Sequence, residues 1–293
     1  MSDVPDEGER VPDEETANWA AAAHTARLAG YVLDQVVDPV PGSMLAADDA
    51  AYRWEKCSAW MRSSLVAALD HLTLWANIVA PQKIFEGMIV RNPPRPYFTL
   101  ARAGLESAAQ AVWVLKEDDS TERVHRHLRL LYHDLRQMAL AFEKQGDDRA
   151  PSVRDRMNAL WTRVGDMYPF ESIVKGEPKY SSMVHECAAV IDMQPNALEV
   201  LWRGASAAAH GKNWFQYVAY STEVGSEYEP GYFRTTLRAD PKTITESITA
   251  AANMVLRGVL LFVARSGRHP QPLYAAAFAK LVSETPLKDV RNE

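Results

Sequence analysis

Apolar residues recur every three or four positions along most of the chain, which is the spacing of amphipathic helices. The predicted helices span about 14–37, 46–79, 98–116, 120–144, 152–167, 180–192, 195–211, 241–266 and 272–283. Two segments, 214–224 and 232–239, are instead rich in aromatic and β-branched residues, and the turn-forming GSEYEPG lies between them. The pattern therefore predicts an all-α, multi-helix bundle with one β-hairpin inserted near residues 214–239.

Proline and glycine mark where these helices begin and end. The segment DPVPGS at 38–43 ends the first helix, and Pro81 with NPPRP at 92–96 marks a connection that cannot be continuous helix. Residues 1–12 are polar and acidic, so they are predicted to be disordered. The predicted organisation is a disordered tail over 1–12, an N-terminal helix and linker over 13–44, and a single helical domain with the hairpin over 45–285.

The composition narrows the function classes. The 293 residues are 47% hydrophobic and 24% charged, which is typical of a soluble globular protein. Eleven of the 38 acidic residues but only two of the 32 basic ones lie in the first 50 positions, so the remainder is weakly positive. A body so close to neutral argues against non-specific coating of nucleic acid.

The sequence shows neither a signal peptide, nor a membrane-spanning segment, nor a cofactor-binding motif. The acidic N-terminus is unlike a signal peptide, and Arg257 interrupts the most apolar helix, so no membrane partner is expected. Cys57 and Cys187 are far apart, which argues against a disulfide framework. Glycine-rich phosphate loops and HExxH are absent from the sequence, so neither a cofactor nor a metal is expected. A cytoplasmic location is the simplest expectation.

Three otherwise apolar helices each carry a stripe of polar residues on one face. The stripes are Thr99, Arg102, Glu106 and Gln110; Glu199, Arg203, Ser206 and His210; and Ser63, Asp70 and Asn77, with His71 beside Asp70. Because burying an unpaired charge is costly, we expect the stripes to face one another or a shared cleft. The candidate site residues are Asp70, His71, Arg102, Glu106, Arg203, Ser206 and His210.

The same stripes are compatible with a purely structural role. Arg102 with Glu106, and Glu199 with Arg203, are spaced as i,i+4 ion pairs, a common device on helix surfaces. The Ser206 hydroxyl is also placed to bond the carbonyl of Trp202. A non-catalytic helical binding or scaffold protein, and a small-molecule enzyme with a closed apolar pocket, therefore stay open as alternatives.

Arg203 and His210, separated by GASAAA in a helical context, resemble the R-x4-6-H signature of the HEPN superfamily. The resemblance implies a metal-independent ribonuclease of toxin or phage-defence type, usually a homodimer, with RNA and an antitoxin or other protein as partners. It assigns His210 as general base on the ribose 2′-hydroxyl and Arg203 as the phosphate ligand, with a 2′,3′-cyclic phosphate as product. Many active members carry a polar residue directly after the arginine, where this chain has Gly204. Many also carry a tyrosine shortly after the histidine, where this chain has Gly211, Lys212, Asn213 and Trp214.

Two further groups carry weaker signals. His125, His127 and His133 are scattered around their helix, which argues against a metal site. The arginines of this helix, Arg123, Arg126, Arg129 and Arg136, are expected to form a solvated face or a modest nucleic-acid track. Trp214 and Tyr217, beside the motif, are core candidates that could alternatively stack on a base.

Overall fold

The computed structural model describes residues 11–83, 94–165 and 167–285. Its elements are α1 (Asp13–Leu33), α2 (Met44–Ala51), α3 (Cys57–Val79), α4 (Pro94–Leu115), α5 (Ser120–Gln145), α6 (Ala150–Val164), α7 (Phe170–Val174), α8 (Tyr180–Cys187), α9 (Pro195–Ala209), α10 (Gln216–Ala219), β1 (Tyr220–Glu229), β2 (Tyr232–Ala239), α11 (Pro241–Arg265) and α12 (Pro270–Glu284). Short 3-10 turns follow α8 and precede α10. The predicted all-α fold with one antiparallel hairpin is confirmed.

The long helix predicted over 46–79 is wrong, because the chain leaves the helix between α2 and α3. Tyr52 adopts an extended backbone and is buried. The Asp49 carboxylate accepts hydrogen bonds from the Ser58 backbone N–H at 2.9 Å and the Ser58 hydroxyl at 2.6 Å. Asp49 thereby satisfies a free donor in the first turn of α3, which stabilises the break.

Two other boundaries differ from the prediction. The first hairpin strand begins at Tyr220 rather than 214, because Phe215 and Ala219 are buried and hold the preceding residues in helical turns. Helix α4 begins at Pro94, inside the segment predicted as a connection. Proline is tolerated in a first helical turn, where its missing N–H would have no intrahelical acceptor. Residues 92 and 93 of that segment lie outside the described residues.

The main hydrophobic core lies among α1, α3, α4 and α11. Helices α1 and α4 each pack against both α3 and α11, while α12 covers α1 and α8 and α9 cover α4. The rings of Trp19 and Trp75 each pack edge-to-face against the ring of Tyr97, which is buried in this core. Gly258 of α11 permits close packing, because a Cβ there would lie 2.8 Å from Leu65 Cδ2. Helix α1, predicted as a separate N-terminal segment, contributes to this core.

Among the described residues α11 alone is long and apolar enough to cross a membrane, judged by length and composition. In the structure 61% of its most apolar stretch is buried, and it packs against α1, α3 and α4. Its apolar composition is accounted for by this central position in the core.

A second hydrophobic core lies among α5, α6 and α7, with Tyr52 packed into it. A buried ion pair connects this region to α2, since Arg123 Nε and Nη2 donate to Asp48 at 2.6 and 2.9 Å. The Arg123 side chain is 2% exposed and that of Asp48 is fully buried. Arg123 therefore belongs to the interior and not to the solvated face predicted for this helix.

Candidate functional site

The stripes of α4 and α9 come together because α9 packs directly on α4. Arg102 Nε donates to Glu106 Oε1 at 2.8 Å, and Trp202 Nε1 donates to the same oxygen at 2.7 Å. Glu106 therefore fixes a guanidinium of its own helix and an indole of the neighbouring one. This shared acceptor sets where the outer end of Arg102 can lie.

His210 lies at the C-terminal end of α9, next to Arg102. Its backbone N–H bonds the carbonyls of Ser206 and Ala208, which places the imidazole beyond the last turn. Arg102 Nη1 lies 3.4 Å from His210 Nε2. A guanidinium only donates, so this contact is a hydrogen bond when Nε2 carries no proton and acts as the acceptor. The His210 side chain is exposed to solvent.

Arg203, the arginine of the R-x6-H motif, forms its hydrogen bonds with Glu199 and not with His210. Its Nε and Nη2 donate to Glu199 Oε1 at 2.9 and 2.6 Å. His185 of α8 donates to the other oxygen of Glu199 at 3.2 Å. These contacts, with that of Arg203 foremost, lower the pKa of the Glu199 carboxyl, so it stays ionised. Arg203 is 58% exposed and is held by its own helix rather than by His210.

Two arginines approach the same tryptophan. The guanidinium carbons of Arg102 and Arg203 lie 6.0 and 5.9 Å from the centre of the Trp202 ring. This distance is the outer limit for a cation–π attraction, and the ring adds to the positioning supplied by Glu106 and Glu199. Trp202 is half-buried, and its indole lies close to both arginines on the exposed surface of α4 and α9.

A third arginine, Arg95, was not among the predicted site residues. Its Nη1 donates to the Ala208 carbonyl at 3.3 Å, and its guanidinium lies 4.9 Å from the centre of the Phe215 ring. A cation near the carbonyls of the last helical turn is favourable. Arg95 is the second residue of α4, and the proline-rich sequence around it gives no sign that its side chain reaches the end of α9.

We define the α4–α9 polar surface as Arg95, Arg102, Glu106, His185, Glu199, Trp202, Arg203 and His210. The sequence prediction named Arg102, Glu106, Arg203 and His210 as site residues and placed Glu199 on the same stripe as Arg203. It missed Arg95, His185 and Trp202, although Trp202 directly precedes the motif arginine. The remaining candidate of this stripe, Ser206, is half-buried and contributes its backbone carbonyl to the His210 N–H.

The α3 stripe lies in other surroundings. Asn77 accepts a hydrogen bond from Arg27 of α1 at 3.1 Å, and Ser63 lines a 690 Å³ pocket beside Trp54 and Trp60. Asp70 is exposed and His71 is half-buried on the same helix. The stripes meet in two places rather than in one cleft: those of α4 and α9 meet at Glu106 and Trp202, while Ser63 of the α3 stripe and Gln110 of the α4 stripe line the same pocket. The polar stripe of α9 lies at the surface, so solvation offsets the burial cost that motivated the expectation.

The histidines of α5 do not converge. His127 is buried and its Nε2 bonds the Glu55 carbonyl at 2.7 Å, while His125 stacks on Tyr168. Burial lowers the pKa of His127 and of His133. Across the described ranges no group of three or more His, Cys, Asp or Glu side chains is placed to hold a metal ion.

Comparison of the chain with protein-family models, with curated proteins and with solved structures gives no match.

Proposed function

We propose that the α4–α9 polar surface binds RNA and cleaves it without a metal ion, as a ribonuclease of toxin or phage-defence type. The observation that carries the proposal is the 3.4 Å approach of Arg102 Nη1 to His210 Nε2 on an exposed surface. It places a potential proton acceptor beside a guanidinium, the pair of groups that cleavage through the 2′-hydroxyl requires. The motif on α9 alone would pair His210 with Arg203, and Arg102 takes that place.

The proposed step uses His210 as general base. Nε2 takes the proton of a ribose 2′-hydroxyl, and the 2′-oxygen forms a bond to the adjacent phosphorus. The bond from phosphorus to the 5′-oxygen breaks, and the leaving oxygen takes a proton from water. The products are a 2′,3′-cyclic phosphate and a free 5′-hydroxyl.

Arg102 is assigned to the phosphate. Its Nη1 turns from His210 Nε2 to a phosphate oxygen when substrate binds, which frees the imidazole to accept the proton. Its Nε stays on Glu106, so the guanidinium turns little and keeps its orientation. Charge-assisted hydrogen bonds of this kind stabilise the negative charge that develops on the phosphate oxygens.

Arg95 and Arg203 extend the positive charge on either side of this pair. Arg95 bonds the Ala208 carbonyl near His210, and Arg203 lies two helical turns before His210 on α9. Arg203 is committed to Glu199 in the free protein, so we assign it to binding the chain beyond the cleaved phosphate. Trp214 and Tyr217, 45% and 82% exposed, follow directly and offer aromatic faces to bases.

The test is a cleavage assay on total RNA in excess EDTA, with wild type, His210→Ala and His269→Ala. His269 is also exposed and lies outside the α4–α9 polar surface, so it is the matched control. We expect cleavage by wild type and His269→Ala, with cyclic phosphate ends, and none by His210→Ala. Equal cleavage by all three, or none by folded wild type, would overturn the proposal.

The Arg203–Glu199 pair favours a second candidate function, a non-catalytic binding or scaffold bundle. In that account Glu199, Arg203 and His185 hold α8 to α9, and the surface serves to stabilise the fold. Folded wild type that cuts no RNA, together with a lower free energy of unfolding in Glu199→Ala, would favour this second function.

A further inference from the structure

A pocket of 690 Å³ lies among α3, α4 and α5, and none of its described lining residues belongs to the α4–α9 polar surface. This volume is typical of a small-molecule site. Two smaller hollows adjoin the pocket: the first shares Gln110 and Asp134 with it, and the second shares Lys56 and Ser63. The pocket therefore extends in two directions, towards Asp134 and towards Lys56.

The two ends of the pocket are far apart along α3. The lining residues of this helix run from Lys56 to Ala67, a distance of about 16 Å at 1.5 Å per residue. Gly104 of α4 packs against Leu72 of α3, and Gln110 follows Gly104 by about 9 Å along its helix. The Gln110 end of the pocket therefore lies beside Ala67 and not beside Lys56.

The Lys56 end carries positive charge from two unpaired side chains. Lys56 and Arg53 are exposed, and neither forms an ion pair within the described residues. The carboxylate of Glu55 is already engaged, since Arg156 and Arg163 lie 3.3 and 3.6 Å from it. An anionic group in this part of the pocket would therefore be attracted by two cations at once.

The opposite end carries an unpaired carboxylate. Asp134 is exposed and forms no hydrogen bond or ion pair within the described residues. Arg156 acts on it electrostatically but is bonded to Glu55. Glu177 lines the adjoining hollow, where the described lining includes neither lysine nor arginine. A cationic group is therefore favoured at this end of the pocket.

The part between the two ends offers hydrogen bonds and one apolar wall. Ser63, Ser107 and Gln110 line it, and their side chains have no hydrogen-bond partner within the described residues. Hydroxyl and amide groups each donate and accept, so they match the alternating N–H and C=O groups of a peptide. The half-buried indole of Trp60 also lines the pocket and presents an apolar surface.

We propose that this pocket binds a short peptide of three or four residues with free ends. The ammonium group of the peptide lies at Asp134, its carboxylate lies at Lys56 and Arg53, and one of its side chains packs on Trp60. Unpaired charges of opposite sign at the two ends select a zwitterion, because a dication would be repelled at Lys56 and a dicarboxylate at Asp134.

The length of the peptide follows from the separation of the two ends. Three or four extended residues span about 10–14 Å. This span fits the length of the pocket along α3 once the reach of the Lys56 and Asp134 side chains is subtracted. The ammonium and carboxylate of a single amino acid are separated by one Cα, so it cannot reach both ends. The proposed site is independent of the ribonuclease activity.

Isothermal titration calorimetry with the tripeptide Ala-Phe-Ala tests the proposal. Three matched compounds serve as comparisons: the N-acetylated tripeptide, its C-terminal amide and free phenylalanine. We expect Ala-Phe-Ala to bind, and each comparison compound, which lacks one charge or the length, to bind at least tenfold more weakly. Equal affinity for the free and the blocked tripeptides, or no binding to folded wild type at millimolar concentration, would overturn the proposal.

Two substitutions assign the ends of the peptide. Asp134→Asn should bind the free and the N-acetylated tripeptide alike, and Lys56→Gln should reduce the preference for the free carboxylate over the amide. Both residues are exposed, so both variants should fold. Asp155→Asn and Lys144→Gln, exposed and outside the pocket lining, should keep the wild-type preferences. Wild-type preferences in Asp134→Asn would place the peptide elsewhere and overturn the proposal.

Discussion

Arg102 of α4 and His210 at the end of α9 meet at 3.4 Å, although they are 108 positions apart in the chain. The arginine on the same helix as His210 does not make this contact, since Arg203 donates twice to Glu199. The local motif therefore identifies the histidine, and the packing of α9 on α4 supplies a different arginine. We therefore expect the two arginines to contribute unequally to RNA cleavage, with Arg102 contributing more than Arg203.

Arg102→Ala should reduce RNA cleavage more than Arg203→Ala. Removing one preorganised donor from a developing oxyanion costs about 10²–10³-fold in rate, and Arg102 is the donor next to His210. Arg203→Ala should chiefly raise the RNA concentration required, because its role is binding. Single-turnover rates measured over a range of RNA concentrations separate the two effects. A larger loss of maximal rate in Arg203→Ala would return the phosphate role to the motif arginine.

The sequence predicts the helices well because each buries an apolar face with a regular period. The prediction fails where the apolar spacing of one helix continues into the next helix, as between α2 and α3. There the apolar pattern continues, while Tyr52 ends α2 and the Asp49 carboxylate accepts from the first turn of α3. The spacing of Arg102 and Glu106 indicates the polar stripe of α4. Which helix packs against that stripe is decided by the tertiary structure and not by the spacing. For the same reason Asp70 was included with the site and Arg95 was missed.

Asp48→Ala should lower the free energy of unfolding by about 3–5 kcal/mol. It leaves the Arg123 guanidinium buried without its counter-ion. Glu143→Ala is the matched control, because its ion pair with Arg154 is largely solvated and should contribute little. Urea unfolding of both variants measures the difference. Similar stabilities for the two would mean that water reaches Arg123.

The stability should fall as the pH is lowered through the range in which buried histidine would be protonated. Burial lowers the pKa of His127 below its ordinary 6.5, and within the described residues its Nδ1 has no hydrogen-bond partner. The unfolded chain therefore binds a proton more readily than the folded chain. The resulting stability is complete above about pH 6.5 and is lost as the pH falls through the folded-state pKa.

Unfolding measured between about pH 8 and about pH 5 tests this assignment. His127→Gln retains a side-chain donor for the Glu55 carbonyl but cannot be protonated. It should lose less stability on acidification than wild type, whereas the exposed His269→Gln should follow wild type. An unchanged pH profile in His127→Gln would assign the loss to His24 or His133, whose pKa values are also lowered.

Gly258→Ala should destabilise the main core by about 1–3 kcal/mol through overpacking. The added methyl would lie 2.8 Å from Leu65 Cδ2 and 3.0 Å from Val112 Cγ2. Gly30→Ala in α1 is the control, since its methyl would lie 3.9 Å from Leu69, an ordinary contact. It should stabilise the protein by up to about 1 kcal/mol, because alanine is the better helix former. Equal effects of the two substitutions in thermal unfolding would contradict the packing described for α3, α4 and α11.

The most direct test of the central claim compares two RNA oligonucleotides that differ by one oxygen. The first contains a site cut by the wild-type protein, and the second carries a 2′-deoxynucleotide immediately 5′ of the cut phosphate. If His210 activates the 2′-hydroxyl, wild type should cut only the first, leaving a cyclic phosphate, and His210→Ala should cut neither. Cleavage of the deoxy-substituted oligonucleotide at the same phosphate would contradict the account, because the proposed nucleophile would be absent.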